Sequence, residues 1–344
     1  MAPFKSSLTR SGTKLLGVFR DRDTSFLEGH AHTQSFRSPQ PFSASGGDQN
    51  GITPGNGYKY HTFTSTGPAT FTVASGFSEV EILIVGGGAK SGPNQYHPGG
   101  GGAGGLVHGT ATLGEGTYNV VVGEGGSAPD GTPVAGGNSS FSTAVATGGG
   151  RAMHYGSDGS AYRPGDGDGT ELNPFGAGGS GGGGGAGGGG GPNQYYQGPG
   201  TQAPQPLEGS TLTGYGNPGG LGTQTPNNYG GGGGGAGEAG YSGSHPTKPA
   251  RGGDGRQYPQ FTGPLIGVPG LAPHNGYYAG GGGGGTHPGG SSTGGLGGGG
   301  NGSGSDGSPG VDNTGGGAGG SERDGSSANN VTGGSGIVIV RYQV

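Results

Sequence analysis

The chain has 344 residues, of which 101 are glycine and none cysteine, with 26% apolar residues, 10% charged residues and a formal net charge of −5. So small an apolar share excludes a conventional large hydrophobic core. The lack of cysteine excludes a disulfide framework or thiolate zinc site, and the mild negative charge leaves no electrostatic footprint for nucleic acid or an anionic membrane.

The segment 1–50 is compositionally ordinary. Phe4, Leu8, Leu15, Leu16, Val18 and Phe19 are interspersed with Lys and Arg, which suits a short helix or an extended arm, and 33–56 is a Ser-, Pro- and Gln-rich linker. The start lacks an apolar core region, so no secretory signal is expected. No stretch approaches the roughly 20 apolar residues of a membrane-spanning helix, so no membrane insertion is expected.

From 57 to 147 the pattern changes. Tyr58, Tyr60, Thr62 and Thr64 alternate with Lys59, His61 and Phe63. Short runs rich in β-branched residues follow at 70–73, 79–85, 106–108, 117–122 and 141–145, separated by Gly, Pro and Asn. Period-two runs broken by turn residues predict a small antiparallel β-sandwich or barrel, with little or no α-helix. Glycine then dominates 148–335. The final segment 336–344 turns back into a strand, Ile337, Val338, Ile339, Val340, with no neighbour in sequence to pair with. Its natural partners are the strands of 51–147. The organisation expected is an arm at 1–50, a sandwich of 51–147 plus 336–344, and a glycine-rich insertion at 148–335 between the penultimate and last strands.

A structureless loop of that length inside a compact domain is far outside ordinary loop lengths. Glycine runs at 181–191, 230–237, 280–285, 297–300 and 315–320 also alternate with segments rich in Tyr, Pro, Asn and Gln, which a tether does not require. An extended left-handed helix with about three residues per turn makes no internal hydrogen bonds, so its N–H and C=O groups point outward. Such helices pack side by side only where no Cβ intervenes. The glycine runs therefore predict a bundle of polyglycine-II helices inserted into the β domain, with a disordered linker as the alternative.

The segments between the runs carry the side chains. Tyr195, Tyr196, Tyr229, Tyr241, Tyr258, Tyr277 and Tyr278 lie there among Asn, Gly and Ser, the composition of adaptable binding loops. Either these rings meet a partner, such as a surface polysaccharide, or they cover the bundle. Asp166, Asp168 and Glu171 cluster hard oxygen ligands that suit calcium, but without full EF-hand spacing, and a solvated acidic turn is the alternative. His30 and His32 fall in a polar segment that reads as flexible. The Gly-rich turn before Lys90 imitates a phosphate loop, but Ala89 and Pro93 break that pattern, so no nucleotide is expected. The Gly-rich turn at 123–126 imitates a dinucleotide site, but Pro129 and Gly131 argue against the helix it needs. No nucleophile–base set or perturbed carboxylate pair is visible, so neither enzymatic activity nor a cofactor is expected.

The motifs YHTFTSTGPATFTV, VEILIVGGGA, GGGGAGGLVHGTATL, YNVVVGEGG, FSTAVATGGG and GGSGIVIVRY, in this order over about residues 57–344, resemble the glycine-rich domain of phage tail-fibre and virion appendage proteins. The glycine runs also resemble the polyglycine-helix sandwich of the fibre-tip adhesins of T-even-like phages. The resemblance implies a virion protein, a tail fibre or fibre-tip adhesin, whose inter-helix turns contact a host polysaccharide or outer-membrane protein. It further implies extracellular action, attachment to other virion proteins through 1–50, and homo-oligomerisation. A capsid decoration or tail-assembly subunit, and a bacterial extracellular surface protein, are the alternatives. The chain departs from those adhesins in embedding its bundle in a β domain.

Overall fold

In the computed structural model the period-two runs form strands, and the residues described are 40–92, 97–127, 134–152, 154–155, 161–162, 176–186, 197–223, 229–245, 247–286, 290–321 and 331–344. Nine strands of the two large sheets lie between residues 43 and 146: β1 Ser43–Gly46, β2 Gln49–Ile52, β3 Tyr58–Phe63, β4 Gly67–Ser75, β5 Ser78–Val85, β6 Leu106–Leu113, β7 Gly116–Val122, β8 Ser139–Phe141 and β9 Ala144–Ala146. Three more strands of these sheets follow, β10 Gln205–Leu207, β11 Ser210–Tyr215 and β12 Ile337–Gln343, and the remaining strands form two-residue ribbons. One sheet has the order β1-β4-β7-β8-β9 and the other β10-β11-β6-β5-β12-β3-β2. The two share no strand pairing among the described residues, so the fold is a sandwich and not a closed barrel.

The C-terminal strand finds the partners expected of it. β12 lies antiparallel between β5 and β3, with Val338 opposite Ile84 on one side and Phe63 on the other. Its apolar residues do not alternate with polar ones because both faces of the seven-stranded sheet are covered. Val338, Val340 and Tyr342 join Val80, Ile82, Ile84, Phe71, Val120 and Phe141 in the core between the sheets. Ile337 and Ile339 face the other way, with Leu83, Val85 and Leu106, into a second core.

That second core is closed by a lid from the glycine-rich zone. Two 3₁₀ turns, Pro259–Phe261 and Pro269–His274, each begin with a proline whose φ is already set for the turn. The second ends on Asn275 in the left-handed region, at φ 47°. Between and around them Phe261, Ile266, Leu271 and Tyr278 are buried against the sheet. These turns are the only helical elements among the described residues.

Beyond the sheets, glycine takes over and the periodicity changes from two to three. Gly280 donates its N–H to the carbonyl of Gly297 at 3.0 Å, and Gly283 to Gly300 at 2.9 Å. Gly281 and Gly284 donate to Gly253 and Ala250, and Gly282 and Gly285 to Gly101 and Pro98. Every third residue thus bonds the same neighbour, the signature of a helix with three residues per turn. The segment accepts from three further directions, through Gly230 and Gly233, through Gly317 and Gly320, and through Gly295. Segment 100–105 repeats the scheme, donating to 231–234, 315–318 and 147–150 while accepting from 86–89, 180–183 and Gly282. A Cβ built on Gly282 would fall on the Ala318 carbonyl oxygen, and one on Gly233 on that of Gly101. At these positions a helix surrounded on six sides has no room for a side chain.

Where the bundle meets the sheet, alanine replaces glycine. Ala103, Ala236 and Ala279 pack in the second core with Leu83, Val85 and Ile339. Pro41–Val344 forms one compact unit, so sandwich and bundle are not separate bodies.

The structure draws two boundaries differently from the sequence pattern. Strands begin at Ser43, inside the segment taken as arm and linker, and most of that segment, 1–39, lies outside the described residues. The glycine bundle is not confined to 148–335. Strands pass directly into it: Gly86 follows β5 and bonds Gly105, which precedes β6, while Gly336 bonds Gly123 just past β7. The glycine-rich zone in turn returns β10 and β11 to the sheet, with Thr213 opposite His108.

Candidate interaction surface

The bundle has two ends. At one, the glycine segments grow out of the strands. At the other, Ala186 donates to the His97 carbonyl at 3.1 Å, Gly285 to Pro98 at 2.8 Å and Gly230 to Gly285 at 2.8 Å, while Gly320 packs on Pro98. Five segments that are far apart in sequence therefore converge on one face away from the sheets. Tyr229 lies there, half-buried, next to Gly230. Its backbone pairs with Thr223 in both directions, at 2.8 and 3.1 Å, an isolated antiparallel bridge.

The other tyrosines have separate fates. Tyr258 and Tyr278 are 7% and 1% exposed, interior side chains of the lid, and so are withdrawn as contact residues. The Tyr278 hydroxyl donates to the Phe261 carbonyl at 2.5 Å, and burial raises its pKa. Burial likewise pushes Tyr258 up to about 12. Sequence composition could not separate these two from surface rings, because no periodicity marks the lid. Tyr277 is half-buried, on a two-residue ribbon opposite Gln257. Tyr195 and Tyr196 lie outside the described residues, as do Asp166, Asp168 and Glu171. Among the described residues no three His, Asp or Glu side chains gather as a metal site.

Tyr241 sits on the flank of the bundle, in a cluster that ties outer segments together. Its hydroxyl donates to Glu238 and accepts from Lys248 Nζ at 3.0 Å, and the same ammonium lies 4.7 Å from the ring centroid. His245 meets the ring edge-on at 4.7 Å. Arg251 pairs with Glu238 at 3.3 Å and with Asp254, whose carboxylate also takes the Leu296 N–H at 2.7 Å. With its hydroxyl and ring already engaged, Tyr241 serves cohesion of the flank.

One network escaped the sequence reading. On the lid side of the sheet, Glu81 Oε1 accepts from His108 Nε2 at 2.8 Å and Gln260 Nε2 at 2.7 Å, while Oε2 accepts from Arg341 Nε at 2.7 Å. Arg341 also stacks 4.2 Å from the Tyr58 ring and donates to the Tyr60 hydroxyl at 3.2 Å. Burial opposes ionisation of Glu81, but the donors outweigh it and bring its pKa down to about 2. Gln260 belongs to the lid and the other partners to the sheet, so the carboxylate clamps one onto the other. The available signal was Glu81, the second of two acids in β5 and the one next to its apolar end, and the lone base of β12, Arg341. With both oxygens occupied by donors, Glu81 is a structural clamp and not a general base.

Sheets, lid and threefold lattice define a class: a glycine-rich β-sandwich whose strands run on into a polyglycine-II bundle. The chain belongs to the glycine-rich domain family, whose model matches residues 64–343. That span runs from the turn after β3 to the last residue of β12, so it takes in the bundle and the sandwich strands from β4 onward, while β1, β2 and β3 precede it. A search of curated proteins finds no match. Among the described residues, no helix is long and apolar enough to cross a membrane.

Proposed function

We propose that the protein is a structural component of a phage virion, a tail fibre or fibre-tip adhesin, that binds a host surface receptor. The observation that carries this reading is the convergence of five bundle segments on the face away from the sheets. A lattice cross-linked on six sides is a rigid platform, and loops held on a rigid scaffold are where binding residues concentrate. The motif order over about residues 57–344 is the second support. In this reading the protein works on the virion, outside the cell, by binding and without catalysis or a cofactor. The host partner is a surface polysaccharide or an outer-membrane protein. Residues 1–50 attach to other virion proteins, and several copies assemble together.

The test is competition. Purified protein added to host cells should block phage adsorption, and Tyr229→Ala should weaken that block while leaving the melting temperature unchanged. The paired substitution Tyr195→Ala with Tyr196→Ala should act in the same direction. Protein that neither binds cells nor competes points instead to a capsid decoration or tail-assembly subunit.

A further inference from the structure

At the seam between sandwich and bundle lies a cleft of about 390 Å³, within the roughly 300–1,000 Å³ range of small-ligand pockets. It is built from four parts of the chain. Thr64 and Thr66 come from the β3–β4 turn, Glu124 from the segment after β7, Asp312 and Asn313 from a bundle turn, and Thr332 from the approach to β12. Its walls are pinned. Asp48 accepts the Thr64 N–H at 2.6 Å and the Ser65 N–H at 2.9 Å. Opposite, the Ser335 N–H donates to Asp312 Oδ1 at 3.0 Å, and the Asn313 N–H to Ser335 Oγ at 2.9 Å.

The lining selects by chemistry. Every lining residue is polar or glycine, so the walls offer hydrogen-bonding groups beside the methyls of the threonines. No Lys, Arg or His lines it, and two carboxylates do, so an anion is repelled. Among the described residues no three acidic or imidazole side chains gather to hold a metal ion. Hydroxyl, amide and carboxylate groups together both donate and accept, which matches the hydroxyls of a sugar ring, each of which also does both. The Glu124 carboxylate makes no hydrogen bond or ion pair among the described residues. A protonated amine there would gain a charge-assisted bond.

We infer that this cleft is a saccharide site for a neutral or amino sugar unit and rejects uronic acids. It is separate from the convergent face that carries Tyr229 and does not depend on that face binding a receptor. The full chain, titrated with galactose, glucosamine and glucuronate under heteronuclear NMR, tests it. Glucosamine should bind about tenfold tighter than galactose, by one charge-assisted bond. Shifts should centre on Thr66, Glu124 and Asn313, and glucuronate should leave the spectrum unchanged. In Glu124→Gln, whose site is exposed and whose fold is therefore undisturbed, the amine preference should vanish while galactose still binds. Tyr229→Ala should alter none of these titrations, so a failure of the adsorption assay leaves this test standing. Glucuronate binding as tightly as glucosamine, an amine preference that survives in Glu124→Gln, or no sugar shifting the cleft resonances would overturn the inference.

Discussion

The sandwich and the bundle solve the same problem with opposite materials. Between the sheets, Phe63, Phe71, Ile82, Ile84 and Phe141 exclude water with side chains, and burying each stabilises the fold by about 1.5–3 kcal/mol. In the bundle the interior is peptide groups. Glycine loses the most conformational freedom on ordering, and the offset comes from interhelix hydrogen bonds worth about 0.5–1.5 kcal/mol each. The sandwich core is non-directional and tolerates a change of shape at moderate cost. The bundle core is directional, because one added methyl group strikes a carbonyl and separates two helices along their length.

That contrast can be broken by substitutions. Phe71→Ala in the sandwich should cost about 3–5 kcal/mol, read as a fall in the unfolding midpoint. Gly282→Ala should cost about 3 kcal/mol although it removes nothing, since its Cβ meets the Ala318 carbonyl. A glycine-to-alanine change that leaves stability intact at Gly282 would mean that the lattice yields.

The clamp between lid and sheet ranks next. Glu81→Gln should cost about 2 kcal/mol at neutral pH by leaving Arg341 without its carboxylate. Folding lowers the Glu81 pKa from 4.5 to about 2, so the unfolded chain takes up the proton first. The wild-type contribution is full above about pH 4.5 and is lost as pH falls toward 2. The variant should lose that part of the acid dependence, which unfolding curves between those limits will show. The smallest effect belongs to Gly270→Ala. Its Cβ meets nothing within 4 Å, so stability should stay within about 0.5 kcal/mol or rise slightly as the unfolded chain loses freedom.

Much of this architecture was legible because its signals are periodic. Alternation marked β3 and β4, and the run Ile337, Val338, Ile339, Val340 implied a strand that must pair far away in sequence. The glycine runs implied lateral helices because no other residue fits a lattice without Cβ atoms. The lid was not legible. Phe261, Leu265, Ile266, Val268 and Leu271 are interrupted by Gly263, Pro264, Gly267, Pro269 and Gly270, so neither a period of two nor of 3.6 emerges. The density of apolar residues in that stretch was the usable clue, and it would have drawn Tyr258 and Tyr278 into the core with it. The hairpin β10–β11 was hidden for a similar reason, since only Leu207 and Leu212 are buried apolar residues there. The cleft was beyond sequence reasoning altogether, because its walls meet only through the fold.

Native-state hydrogen exchange of the glycine amides at 100–105, 230–235 and 280–285 tests the backbone lattice most directly. If those N–H groups are bonded to neighbouring helices as the threefold pattern requires, they should exchange as slowly as the amides of β5 and β12. Exchange at the rate of an unfolded glycine chain, with β5 and β12 still protected, would contradict it.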